Sequence, residues 1–477
     1  MTVAPAGSPF TLDPGERDRL ARRVERAARR ARRERRPVLA SHTRAVPGDL
    51  DLSAVVLRAR GASDRWFCLE QPDRDASVVA AVGQAAAVEA EGAGRFAELT
   101  AGCRALADAA ETGDPDGPPG SGPVFVGGFA FAPGGGAAPE WGAFAPAQLV
   151  LPEVSFARRG GEARMTVAAA VTADDSPEGV LERIEGRLAT LRPASMPLHD
   201  PDPVTPARVA SAAPPEHYEA AVARAVEAIG EGEIAKIVLA REVRVHAPRP
   251  IDPASVLDGL RAAFPSCYCF CVGGPDGAFV GASPELLIRR EGARAQTVAL
   301  AGTTRRSADP SVDRHLGERL LMSAKEREEQ LIVARRIERA LRPVSVWVAA
   351  EEEPSLVRVQ NVQHLATAIR AQLSDPLPCV ELAGLLHPTP AVGGEPSAAA
   401  LPLVPALEGL DRGWYAGGVG WTDLAEDGEF CVALRCGLIR GTVAHLYAGC
   451  GIVRDSVPAD ELEETEVKLE ALLPLLV

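Results

Sequence analysis

Lysine is scarce in this chain. Among 51 basic residues only Lys236, Lys325 and Lys468 are lysine, and the rest are arginine. A position that keeps lysine therefore points to something arginine lacks, a compact ammonium that can lose its proton. Lys236 sits in the apolar run IAKIVLAR, residues 234–241. Read as a strand, Ile234, Lys236, Val238 and Ala240 share one face, and only the lysine is polar. Edge-strand protection, or a stem that packs while its head reaches water, also places lysines in such runs. The meaning of Lys236 thus depends on its company.

That company includes several acids. Glu285 lies in GASPELL, with Ala282, Ser283 and Pro284 before it and Leu286, Leu287 and Ile288 after it. A carboxyl beside so much apolar surface has its pKa raised, which suits a general acid. Glu329 follows Lys325 and Glu326 by one helical turn, a pattern that by itself describes a surface charge pair. Glu461, Glu464 and Lys468, spaced i, i+3, i+7, share one helix face. They read either as a salt-bridged solvent face or as two carboxylates for a hard cation, with a lysine for an anion; Mg²⁺ commonly takes one or two carboxylates plus substrate oxygens. Arg435, on a strand in VALRCGL, needs an anion if buried, and its planar fork fits a carboxylate. Gly449 and Gly451 in AGCGI would let backbone N–H groups approach an anion. His364 and His387 fall near strand ends. Together these residues describe a site for a small polyanion worked on by acid/base chemistry.

The elements that must position them alternate between short strands and helices. A helix beginning at Pro214–Pro215, with Tyr218, Val222, Val226 and Ile229 along one side, leads into the strand of Lys236. CYCFCVGG, AFVGASPELLIRR and RAQTVALAGTTRR read as three strands, and residues 314–341 as one long helix. LVRVQNVQHLATAIRAQL, WYAGGVGWTD, EFCVALRCGLIRG and VAHLYAGCGIVR read as later strands, and a helix with Glu461, Glu464 and Lys468 closes the chain. The pattern predicts an α+β fold on large sheets. Upstream, residues 14–36 predict an Arg-rich helix, and 113–124 a turn-rich loop before the strand VFVGGFAFAP. The Gly-rich PGGGAAPEW lacks the GK[ST] of a phosphate loop. The proline-rich stretch 193–215 divides an N-terminal half, 1–200, from a C-terminal core, 212–477.

Bulk properties narrow the function. The chain has 477 residues and a net charge of −14, which argues against nucleic acid as a partner. No apolar stretch is long enough for a membrane span, and the N-terminus lacks the pattern of a secretory signal. Nine scattered cysteines predict a reduced, cytoplasmic protein. Cys267, Cys269 and Cys271, all on one strand face, lack the CxxC or histidine partner of a metal site and read as core residues.

The stretches KIVLAREV, FVGASPELLIRR, LAGTTRR, SAKEREEQ, QHLATAI, LHPTPAVGG, GWYAGGVGW, VALRCGLI, LYAGCGIV and ELEETEVKL, in this order over residues 214–477, resemble the chorismate-utilising enzymes, the isochorismate synthases in particular. FCLEQPDRD and FVGGFAF extend a looser similarity into the first 200 residues. The resemblance implies one large unit with two big antiparallel sheets flanked by helices, acting on chorismate, its product serving menaquinone, a siderophore or another product; with no heptad or obvious partner helix in the sequence, a monomer is expected. It implies Mg²⁺ held by Glu329 and Glu464 with Glu461 beside them, Lys236 as the base that activates water, and Glu285 as the acid for the departing C4 hydroxyl. It implies that Arg435 and Tyr415 hold the enolpyruvyl carboxylate with the backbone at Gly449 and Gly451, that Lys468 and Thr303 line the site, and that His364 lies beside the ring. Ammonia-using relatives lack a lysine at position 236, and aminodeoxychorismate synthases carry one where this chain has Ala301. Water is then the nucleophile. Salicylate synthases share the base and the acids and go on to eliminate pyruvate. One departure is Gln330, where the family usually has histidine.

Overall fold

The structure, a computed structural model, describes residues 8–142, 144–197 and 207–476. Its first helix, Pro14–Glu34, starts with a capping box in which Asp13 and Glu16 each accept the other's backbone N–H. Leu20, Val24, Ala27 and Ala31 bury one side of it. The arginines opposite are matched by acids, as in Arg26–Glu111 at 2.7 Å and Arg30–Glu34 at 2.8 Å. The Arg-rich segment is thus an amphipathic helix, with several of its arginines paired to acids of the same chain.

Two antiparallel sheets, of twelve and ten strands, make up the body. Both run through the N- and C-terminal parts of the chain. In the larger sheet Trp66–Gln71 pairs with Tyr268–Gly274, and in the smaller one Val124–Phe129 pairs with Gly418–Asp423. Residues 198–206 of the proline-rich stretch lie outside the described residues. Alternation along Tyr268–Gly274 feeds two cores. Phe270 joins Phe279, Trp421 and Phe430 between the sheets, while Cys269 and Cys271 join Leu257 and Leu260 beneath the helices on the other face. All nine cysteines are free and buried.

Two segments expected as single strands change sheets midway. Gly277–Ser283 belongs to the larger sheet and Leu286–Glu291 to the smaller, with Pro284 and Glu285 between them. Proline has no N–H to give a ladder, so pairing breaks there. Gly428–Val432 and Cys436–Arg440 make the reverse change, and Arg435 adopts a left-handed φ of 47° at the corner. The two crossings lie side by side: Val432 N–H donates to Glu285 O at 3.0 Å, and Ala282 N–H donates to Arg435 O at 3.1 Å.

Two further expectations are corrected. LVRVQNVQHLATAIRAQL is a hairpin of Ser355–Arg358 and Val362–Leu373 rather than one strand, turning just before Asn361. The 314–341 helix is two helices, Pro310–Met322 and Ala324–Leu341, because Ser323 is extended and its Oγ accepts the Glu326 N–H at 3.4 Å as an N-cap. Removing that cap with Ser323→Ala is expected to lower stability by about 1 kcal/mol, read as a lower urea midpoint at unchanged slope.

Candidate active site

Lys236 begins the strand Lys236–His246, which pairs with Val443–Ile452 so that Val238 faces Gly451 and Ala240 faces Gly449. On its other edge, between short pairings with Gly394–Glu395 and Arg208–Ser211, this strand is completed by a buried ion pair. Glu408 accepts the Ala240 N–H at 2.7 Å, and Arg412 donates to Val238 O at 2.9 Å and Val392 O at 2.8 Å. The helices Ala324–Leu341 and Pro458–Leu469 add their acidic faces, and the two sheet crossings bring in Glu285 and Arg435. These elements line a common cavity, of the concave, polar-lined kind in which small molecules bind. Its wall includes Glu285, Thr303, Glu329, His364, Tyr415, Arg435, Gly449, Gly451, Glu461, Glu464 and Lys468. Every predicted site residue except Lys236 is therefore on the wall. Lys236 is fully buried just behind it.

The three lysines of the chain each meet one of the predicted metal carboxylates. Lys236 Nζ lies 2.8 Å from Glu329, Lys325 Nζ 3.5 Å from Glu461, and Lys468 Nζ 2.6 Å from Glu464. Burial pushes Glu464 up, but the Lys468 ammonium outweighs it and holds the carboxyl below its usual range. Burial and then the neighbouring Glu464 push Glu461 up. Lys468 also donates to Gly449 O at 2.8 Å.

Glu285 is 2 % exposed. Burial raises its carboxyl to about 8 against the pull of Lys236 and Arg435. It is thus protonated at neutral pH while facing two cations. Among the described residues Arg435 has a single side-chain hydrogen-bond partner, His364, whose Nε2 lies 3.1 Å from its Nη2, and its Nε has none. Because the arginine can only donate, His364 Nε2 accepts and Nδ1 carries the hydrogen, given to Gly302 O at 3.2 Å and shared with Thr303 Oγ1 at 3.1 Å. Burial and then Arg435 keep this ring neutral. The Thr303 hydroxyl can then donate into the cavity. Tyr415 stacks on Tyr447 at 5.3 Å, and burial raises its phenol so that it too stays a donor. Arg435, Thr303 and Tyr415 thus offer donors to an anion.

The residues fit a hard divalent cation. The carboxylates of Glu329, Glu461 and Glu464 all reach the cavity, and ligand atoms of Glu461, Glu464 and Cys450 lie within 4.8 Å of one another. Burial holds the Cys450 thiol well above its usual range, so the carboxylates are the natural ligands. Glu329 lies outside that cluster, its oxygen taken up by Lys236. Gly451 leaves it room: a Cβ there would stand 2.4 Å from Glu329 Oε1 and 2.9 Å from Lys236 Cε. Gly451→Ala is expected to separate this pair and cut turnover by at least ten-fold, on the order of 1.4 kcal/mol in the barrier, with the melting temperature little changed. Steady-state kinetics beside calorimetry checks it.

Glu326, by sequence no more than a surface charge, also reaches the site. It accepts the Thr303 N–H at 3.2 Å and is raised to about 7 by burial and then by Glu329. Its spacing from Glu329, i−3 on the same helix face, was the available signal. Gln330 is buried and its amide donates to Thr367 Oγ1. His387 stands apart from the cavity, its Nε2 bonded to Phe131 O at 2.9 Å.

A twin-sheet body with a buried acid, a buried lysine and anion donors at one cavity defines an acid/base enzyme for a small carboxylate. The chain belongs to the chorismate-binding enzyme family, whose model matches residues 25–477. It is 39% identical over 351 residues to the salicylate biosynthesis isochorismate synthase of Pseudomonas aeruginosa, covering 73% of each chain. It is 35% identical over 355 residues to the isochorismate synthase MenF of Bacillus subtilis, covering 74% of this chain and 75% of that one. The solved structure of MenF, the menaquinone-specific isochorismate synthase of Escherichia coli, superimposes with a TM-score of 0.77 at 26% identity, over 95% of this chain and all of that one.

Proposed function

We propose that this protein is an isochorismate synthase, converting chorismate to isochorismate in a Mg²⁺-dependent reaction. The observation that carries the reading is Glu285, a carboxyl kept protonated at neutral pH in the same site as a buried lysine and an arginine that has no carboxylate partner among the described residues. Water adds at C2 of the ring, the double bonds shift, and the C4–O bond breaks. One water enters and one leaves, so the reaction is an isomerisation. Lys236 takes the proton from the incoming water and Glu285 gives one to the departing hydroxyl. Arg435, Tyr415 and Thr303 hold the enolpyruvyl carboxylate, and His364 presents Arg435 to it. Gly449 and Gly451 leave room for the ring and for Glu329. Glu329 and Glu464, with Glu461 beside them, would hold Mg²⁺, which supplies charge neutralisation for a substrate carboxylate. For Lys236 to act as base, Glu329 must release it.

A salicylate synthase would use the same first step and then eliminate pyruvate. Chromatography of products from purified protein with chorismate and Mg²⁺ separates the two. Isochorismate alone is expected. Salicylate with pyruvate moves the chain to the lyase reading, and no turnover at all rejects catalysis on chorismate.

A further inference from the structure

On the far side of Arg412 from the cavity lies an open groove walled by Phe96, Phe131, Pro388, Leu401, Val404 and Leu410. Arg95 also lines it and is only 4 % exposed. Its Nη atoms donate to Gly92 O at 3.2 Å and Ala130 O at 3.5 Å, and its guanidinium lies 4.6 Å from the Phe96 ring. Its Nε has no partner, and among the described residues no carboxylate is in ion-pair range; burial alone lowers it, to about 10. Arg95 is moreover the first residue of the helix Arg95–Ala107, whose N-cap Gly94 supplies no capping side chain. A buried cation therefore sits at the positive end of a helix, where the dipole opposes it. Buried charges are ordinarily paired.

The nearby acids do not provide that pairing. Asp411 lines the groove, but its oxygens accept the N–H groups of Gly136, Ala138 and Gly413. Glu98, one turn along the helix, is exposed. His387 adds a second polar point. Its Nε2 faces Phe131 O and so carries the hydrogen, burial keeps the ring neutral, and Nδ1 is left as an acceptor without a partner among the described residues. The His387 ring is 6.2 Å from that of Phe96, so both polar points fall within the span of one small molecule.

We propose that this groove is a second ligand site for a small aromatic carboxylic acid, its carboxylate on Arg95 and the helix N-terminus, its ring among Phe96, Phe131 and Leu401, and a hydroxyl or ammonium on His387 Nδ1. Arg412 ties the groove to the catalytic cavity. It lies 4.2 Å from the Phe131 ring and 5.7 Å from that of Tyr415, and it holds Val238 and Val392 of the cavity wall. Occupancy of the groove is therefore felt at the cavity.

The test is calorimetric titration of the full chain with 3-hydroxybenzoate. Arg435→Ala, which disables the carboxylate donor of the catalytic cavity, should leave the probe's affinity unchanged. Arg95→Ala, and Leu401→Trp, which obstructs the ring position with Arg95 in place, should each weaken it by at least about ten-fold. Arg95→Lys should retain part of it. Saturating probe should shift KM for chorismate in the wild type and not in Leu401→Trp. Affinity lost in Arg435→Ala, affinity intact in both groove variants, or no binding at millimolar probe overturns the site. Binding without a KM shift overturns the coupling. Should Arg95→Ala fail to fold, Leu401→Trp and Arg95→Lys decide.

Discussion

A chain carrying Lys236→Ala is expected to bind chorismate yet turn it over about 10²–10⁴-fold more slowly, the usual worth of a positioned general base. The informative companion is Lys236→Arg. Arginine keeps the positive charge and can still meet Glu329, which Lys236 contacts at 2.8 Å. It cannot give up its proton near neutral pH. If Lys236 merely balanced the Glu329 charge, the arginine chain would keep its activity. A base predicts that both variants lose turnover, with melting temperatures that show the fold intact. The measurement is kcat by product chromatography, and an arginine variant within ten-fold of wild type would sink the assignment.

Glu285→Gln should have an effect of the same size, about 10²–10⁴-fold on kcat, with a distinct signature in pH. Burial raises the Glu285 carboxyl to about 8. An acid must be protonated to act, so its contribution is complete well below that value and disappears as pH rises through it. The alkaline limb of kcat/KM is expected near pH 8 in the wild type and should vanish in the glutamine chain. The same shift acts on stability. The folded state holds this proton more tightly than the unfolded chain, whose carboxyl has an ordinary value of 4.5. Stability is therefore greatest below that ordinary value and falls as pH climbs from there toward about 8. Glutamine removes that slope, which urea titrations at several pH values would show. Equal pH profiles for both chains would reject Glu285 as the acid.

Much of this site was legible because its residue types stand out against their surroundings. Lys236 is conspicuous in a chain that otherwise chooses arginine, and Glu285 in a run of aliphatic neighbours. Glu461, Glu464 and Lys468 repeat on one helix face, and that face does reach the cavity. What escaped notice depends on contacts between distant segments. Glu326 resembles any helix-surface acid until the Thr303 N–H arrives from another strand. The edge of the Lys236 strand is closed by Glu408 and Arg412, more than 160 residues away in sequence. The helix break at Ser323 was masked because the helix-forming run AKEREEQ follows it with no glycine or proline to mark a boundary, although serine three residues before Glu326 is itself a capping pattern. The two sheet crossings left no trace in hydrophobicity, since the segments are apolar on both sides of the corner.

Those crossings also bear on how the protein can change. The acid and the arginine sit at neighbouring corners, each shared by two sheets, and their backbones are bonded through Val432 to Glu285 and Ala282 to Arg435. Adding or deleting one residue at either corner would invert the side-chain alternation of one sheet against a partner that stayed in register. Chemistry here is welded to topology: new reactions can arise by exchanging side chains at these corners, whereas length variation must be confined to the outer turns.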